Sequence, residues 1–162
     1  MENDGLAGVT ARGDGRAMNG LKFDHVGLVV SDMAEGRGFL EEMFGVDRWT
    51  QVFEDPGIGV YVQFGRTVEG PCYELISPLG EASPVTTALK RGINILNHVA
   101  YLTADLDADA KRLEEKGSIV AGPPKPAVAY NGARVQFWIT PQRFMVELIE
   151  APGHDHVYEA KR

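Results

Sequence analysis

The feature that most constrains this chain is that much of it is written twice. The stretch 23–33, FDHVGLVVSDM, returns at 96–106 as LNHVAYLTADL, so that His98 stands 73 residues after His25. The same offset sets Val99 over Val26, Asp105 over Asp32 and Leu113 over Leu40. It then sets Val135-Gln136-Phe137 over Val62-Gln63-Phe64, and Glu147-Leu148-Ile149 over Glu74-Leu75-Ile76. Four segments in one register are a duplication. A chain of 162 residues built this way is expected to fold as two similar halves sharing one core.

Each half reads as a strand, a helix and three further strands. KFDHVGLVV, 22–30, alternates and then runs apolar with β-branched valines, as a largely buried strand does. Asp32 offers a helix N-cap with Glu35 three positions on, Met33, Leu40, Met43 and Phe44 recur at helical spacing, and Gly45 ends the run. Strands are expected at 46–53, 58–66 and 71–78, divided by Asp55-Pro56-Gly57 and Glu69-Gly70-Pro71. Ser83 as N-cap, Pro84 at the first helical position and Gly92 as stop predict a connector helix over 84–91. The second half repeats the order: a strand at 95–103, a helix from Asp105 to Lys116, and strands near 118–121, 133–140 and 144–150. Gly122-Pro123-Pro124-Lys125-Pro126 is an extended loop within it. The organisation expected is a flexible extension at 1–20, a first βαβββ module at 21–82, the connector at 83–92, a second module at 93–150 and a tail at 151–162. The fold class is α+β, with the paired modules forming a curved mixed sheet around a cleft.

Composition narrows the function. A net charge of −7 and a pI near 5.1, with no Lys/Arg-rich run, argue against nucleic acid, because phosphate binding needs a basic face. No stretch approaches the apolar length of a membrane span, and no targeting signature is legible. The single cysteine, Cys72, excludes an internal disulfide and a thiolate zinc site, which fits a reducing cytoplasm. A small-molecule partner is expected.

The chemistry lies in one repeated pair. His25 is followed by Glu74, and His98 at the same interval by Glu147, each on a strand among apolar neighbours. Alternation turns each Glu away from Tyr73 and Leu75, or from Val146 and Leu148. If the halves face each other across a pseudo-twofold axis, two imidazoles and two carboxylates meet at a common centre. That is a ligand set for a divalent ion, and a cation would relieve the repulsion of two buried carboxylates. Two nitrogens and two oxygens suit Co, Ni, Mn, Fe or Zn without choosing among them.

The paired βαβββ order, with His-Val-Gly-Leu-Val-Val and His-Val-Ala-Tyr-Leu opening the halves and Glu-Leu-Ile closing each, resembles the vicinal oxygen chelate superfamily over residues 22–150. That superfamily includes glyoxalase I, methylmalonyl-CoA epimerases, extradiol dioxygenases and metal-free bleomycin-binding proteins. The run Tyr73-Glu74-Leu75-Ile76-Ser77-Pro78-Leu79-Gly80, with Ser83-Pro84, Leu89-Lys90-Arg91-Gly92 and Asn97-His98-Val99-Ala100, is similar to methylmalonyl-CoA epimerases. The chain departs from them at Val62, where some carry a second Glu base, and in the shorter loop Thr140-Pro141-Gln142-Arg143-Phe144.

The resemblance implies one divalent metal on His25, Glu74, His98 and Glu147. It implies an isomerase or epimerase that takes a proton next to a carbonyl to form a chelated enolate, with Glu147 as first base and Glu74 as second. It also implies an acyl-CoA among the substrates and a homodimer. Its alternatives are a glyoxalase I-type lyase acting on a hemithioacetal and a non-catalytic binding or resistance protein. Strand curvature makes Tyr61, Gln63, Tyr101, Gln136 and Trp138 candidate wall residues, and Lys90, Arg91, Lys125 and Arg143 candidate phosphate partners. His154 and His156 are expected to belong to a frayed tail outside the site.

Overall fold

The computed structural model describes residues 20–93 and 95–160. The expected extension over 1–20 lies outside the described residues apart from Gly20. In the first half β1 (Lys22–Val29) and α1 (Met33–Phe44) lead into β2 (Arg48–Trp49), β3 (Phe53–Asp55), β4 (Val60–Arg66) and β5 (Tyr73–Pro78). After α2 (Thr86–Arg91), the second half runs β6 (Leu96–Leu102), α3 (Leu106–Glu115), β7 (Ile119–Val120), β8 (Lys125–Ala127), β9 (Ala133–Ile139) and β10 (Met145–Ile149). A 3-10 turn at Val128–Tyr130 follows β8.

The duplication is written into the sheet. Its strand order is β2-β4-β5-β1-β6-β10-β9-β7, with β3 beside β4 and β8 beside β9. The two halves therefore mirror each other in sequence order about the seam between β1 and β6. That seam is antiparallel, with Val26 opposite Val99 and Gly27 opposite His98, while β5 runs parallel to β1 and β10 parallel to β6. Both helices cover one face. From α1, Leu40 packs with Val46, Trp49 and Leu75, and from α3, Leu106 packs with Trp138, Val146 and Leu148. The other face carries the largest cluster, including Val62, Phe64, Ile76, Val135 and Ile149, and curves around the cleft.

Local chemistry starts and stops the helices as the sequence indicates. Asp32 and Asp105 hold extended backbone while their carboxylates accept the amides of Glu35 and Ala108. Gly45 ends α1 at φ 66°, a left-handed conformation in which a side chain is strained.

Three local expectations are corrected. The strand expected over 46–53 is two short pieces, because the Thr50 hydroxyl accepts the Phe64 amide at 3.1 Å and Gln63 Nε2 donates to the Thr50 carbonyl at 2.8 Å. The Thr50 amide still donates to the Phe64 carbonyl at 2.9 Å, so the side-chain bonds interrupt the ladder after that point. Ser83 does not cap the connector helix: its hydroxyl is buried without a hydrogen-bond partner, and the helix begins at Thr86 after a turn through Pro84 and Val85. The Pro-rich loop holds a strand at its end, since Lys125–Ala127 pairs with β9, and Pro126 is accommodated there because β8 is short and peripheral.

The tail is also corrected. Residues through Glu159 run back across the first half, where the Glu159 amide donates to the Trp49 carbonyl at 2.8 Å and the His156 ring stacks on Phe64 at 4.1 Å. Aromatic contacts hold a segment that composition alone would leave frayed. Among the described residues, no helix is long and apolar enough to cross a membrane.

Candidate metal centre

His25 and His98 come from the two central strands, and Glu74 and Glu147 from the strands that flank them in parallel. All four are buried. The Nε2 atoms of the two histidines face each other at 3.0 Å. Glu74 Oε2 lies 3.3 Å from each of them, and Glu147 Oε2 lies 3.4 Å from His25 Nε2 and 3.2 Å from His98 Nε2. Metal–ligand bonds of about 2.0–2.2 Å put neighbouring donor atoms roughly 3 Å apart, which is the spacing found between the two imidazoles and from each imidazole to each carboxylate. His25, His98 and Glu147 offer donor atoms that all lie within 4.8 Å of one another, and Glu74 reaches both imidazoles beside them.

The far side of each imidazole is fixed by the residue just before it. His25 Nδ1 donates to Asp24 Oδ2 at 2.8 Å, and His98 Nδ1 to Asn97 Oδ1 at 3.0 Å. Acceptors at both Nδ1 atoms place the ring proton there and turn the Nε2 lone pairs inward, as metal-binding histidines require. Two inward lone pairs and two buried carboxylates need positive charge between them.

The proton affinities show the same demand. Burial pushes His25 down, but the Glu74 charge and hydrogen bonds to Asp24, Glu147 and Glu74 lift it well above its usual value. His98 rises too, against burial, through its hydrogen bonds to Glu147 and Glu74. Burial would raise Glu74, yet the His25 charge and the imidazole hydrogen bonds pull it down to about 2. A divalent ion fits this donor set in charge and atom type, and fits His25, His98 and Glu147 in spacing as well.

A cleft of about 450 Å³ opens beside the centre, lined by Glu74, His98, Glu147, Val62 and Phe137 among others. The expected walls need correction. Gln63, Tyr101 and Trp138 belong to the opposite, helix-covered face, where Tyr101 and Trp138 pack against α3's cluster and Gln63 bonds Thr50. Tyr61 and Gln136 share their strands' outward parity, and Gln136 bonds the Gly122 carbonyl. One-residue parity decides this: Val60 and Val62, and Val135 and Phe137, are the strand positions that reach the cleft. Lys90 and Arg91 are exposed on α2, and Arg143 is exposed in the β9–β10 turn at φ 68°; none of the three lines the cleft. Lys125 does line it, and donates to the Gly57 carbonyl at 3.2 Å. Asp55 also lines it, but both its oxygens accept amides, from Ile58 and Val128, so it braces the wall.

Asp24, Asn97 and Tyr130 contact the centre's imidazoles without having been singled out in the sequence, and His156, expected outside the site, reaches Asp24. Asp24 and Asn97 carried a signal, since they precede the two histidines at the repeat offset. Tyr130 donates to Asp24 Oδ2 at 2.6 Å and His156 Nε2 does so at 3.0 Å. Neither has a repeat partner that would have marked it.

The chain belongs to the Glyoxalase/Bleomycin resistance protein/Dioxygenase superfamily, whose profile matches residues 24–137. Among curated relatives, an ethylmalonyl-CoA/methylmalonyl-CoA epimerase of Cereibacter sphaeroides is 29% identical over 130 residues, covering 80% of this chain and 95% of its own. Among solved structures, a variant methylmalonyl-CoA epimerase of Streptomyces coelicolor, in complex with 2-nitronate-propionyl-CoA, aligns with a TM-score of 0.64 at 26% identity. That alignment covers 79% of this chain and 92% of the epimerase. A hypothetical protein from Bacillus halodurans has the same fold, with a TM-score of 0.70 at 22% identity over 85% of this chain and 99% of its own.

Proposed function

We propose that this protein is a metal-dependent epimerase or isomerase that removes and returns a proton on the carbon next to a carbonyl, with an acyl-CoA as substrate. The observation that carries the reading is a pair of inward imidazole nitrogens 3.0 Å apart, with a carboxylate oxygen from Glu74 and one from Glu147 each 3.2–3.4 Å from both, at the edge of an apolar cleft. His25, Glu74, His98 and Glu147 would hold the ion, which, when bound, supplies Lewis-acid stabilisation of charge on the substrate carbonyl oxygen.

The protein's own share is positional. Apolar residues such as Val62, Val135 and Phe137 exclude water around the acyl group, so the carboxylates act in a low dielectric. Glu147 takes the proton as first base and Glu74 is the second, and a pair of bases reaching one carbon from two sides inverts it. The epimerase relatives support this substrate class. A carboxylate at Glu74 also favours a glyoxalase I-type isomerisation of a hemithioacetal, which the same centre could perform by returning the proton to the neighbouring carbon.

The test is exchange. Metal-loaded protein incubated with methylmalonyl-CoA in deuterium oxide should place deuterium at the α-carbon, measured by mass spectrometry. Absence of exchange, with lactoylglutathione formed from the methylglyoxal hemithioacetal, would replace the epimerase reading with the lyase.

A further inference from the structure

The repeat gives the centre two pseudo-equivalent mouths, and the chain treats them differently. One is the open cleft, whose lining includes Asn97, Phe137 and Met145. Their counterparts at the repeat offset are Asp24, Phe64 and Cys72. All three counterparts are covered by the C-terminal segment. The His156 ring stacks on Phe64 at 4.1 Å with 25° between planes, its Nε2 donates to Asp24 Oδ2 at 3.0 Å, and the Tyr158 hydroxyl lies 3.7 Å from Cys72 Sγ. The His154 ring packs on Tyr130 at 4.5 Å. The His156 side chain is only 7% exposed.

We propose that the C-terminal segment is a built-in plug for the second mouth, and that His156 within it is a positioning residue for the metal centre. Asp24 Oδ2 accepts from His25 Nδ1, Tyr130 and His156 together, at 2.8, 2.6 and 3.0 Å. Three donors around one oxygen leave that carboxylate no freedom to swing, and the carboxylate in turn aims His25. In the second half the matching position, Asn97, faces the open cleft. Among the described residues, the plug thus closes the second mouth and stiffens His25, the imidazole that does not line the open cleft.

The positioning role rests on the metal reading; the plug does not, and the experiment separates them. Metal-free full-length protein is titrated with Co²⁺ against a competing chelator, as wild type, His156→Gln and His156→Phe. Gln keeps a donor for Asp24, and Phe keeps the stack on Phe64 without one. The Phe variant should bind Co²⁺ about 10-fold more weakly, at the low end for lost outer-shell support, and the Gln variant should recover most of the loss. Equal affinities in all three overturn the positioning role. A second Co²⁺ equivalent that disappears in the Phe variant also overturns it, by making His156 itself a ligand. Wild type that takes up no Co²⁺ removes the centre and the role with it.

The plug is read independently through Cys72, which is buried at 4% exposure. A thiol reagent should leave it unmodified in native wild type. It should label it fully in Tyr158→Ala and in a chain ending at residue 153, each checked for native circular dichroism. Continued protection of Cys72 in folded truncated protein overturns the plug.

Discussion

The two halves of the molecule each supply a His/Glu pair to the candidate centre and support it by different means. In the first half His25 is wholly buried and backed by a carboxylate, Asp24, that three donors hold in place. In the second, His98 is backed by the neutral amide of Asn97, beside the open cleft. The ring contacts are otherwise alike: Phe64 meets His25 edge-on at 5.2 Å and Phe137 meets His98 at 5.3 Å. Duplication copied the ligands and their aromatic neighbours. What diverged is the layer behind them, which made one half an anchor and the other a working face.

The sharpest way to break this comparison is at the carboxylates. Glu147→Gln keeps the shape and an oxygen but loses basicity, so turnover should fall by about 10²–10⁴-fold while metal content drops only modestly. Glu74→Gln should be the milder change. Steady-state rates beside metal analysis decide it, and near-full activity in metal-loaded Glu147→Gln would move the base elsewhere.

The next effect concerns the supports. Asp24→Ala should weaken metal affinity by about 10–100-fold, the range for lost outer-shell partners, because a charged acceptor and three hydrogen bonds go together. Asn97→Ala should cost less, since a neutral hydrogen bond facing water is replaced more easily. Chelator competition gives both numbers, and equal losses would mean that the two halves are supported alike after all.

The smallest effect lies on the seam. A β-carbon at Gly27 would stand 2.3 Å from His98 Cε1, so Gly27→Ala must displace a buried ring. Overpacking of this kind costs about 1–3 kcal/mol and should also loosen the metal. The repeat partner is Ala100, fully buried yet tolerated, and the register of β1 against β6 shifts between Phe23 and Val26. Ala100→Gly should therefore cost only about 0.5–1 kcal/mol. Thermal melts of metal-free protein would rank the pair, and a harmless Gly27→Ala would show that the halves approach symmetrically.

The sequence made the meeting of the two His/Glu pairs and the sheet order legible because both belong to the repeat, and a repeat carries its own check. His25, Glu74, His98 and Glu147 each have a partner at the same offset; so do Asp24 and Asn97, which were visible but sit next to ligands on strands, where alternation suggests opposite faces. Register shifts in the β1–β6 pairing, between Phe23 and Val26 and opposite Asn97, break that alternation at both positions. The wall failed for a different reason. Gln63 and Trp138 are one residue from the cleft-facing Val62 and Phe137, and only the hairpin registers Phe64 with Glu74 and Phe137 with Glu147 fix the parity. The tail could not be read at all, since nothing in the first half repeats it and its hold comes from stacking on Phe64 and Tyr130, two residues far apart in the chain.

The position of β1 has a consequence for how the chain acquires its structure. Among the described residues it is the first strand in chain order, yet it lies at the middle of the sheet, with β5 on one side and β6 on the other. Until residues 96–102 emerge, its second edge has no partner, and apolar FDHVGLVV is a template for pairing with another chain. Such long-range closure makes for slow folding and leaves the four ligands incomplete until β10 is in place. An ion that binds only the finished set would then add its binding free energy to folding alone, drawing late, partly zipped chains toward the native topology by mass action.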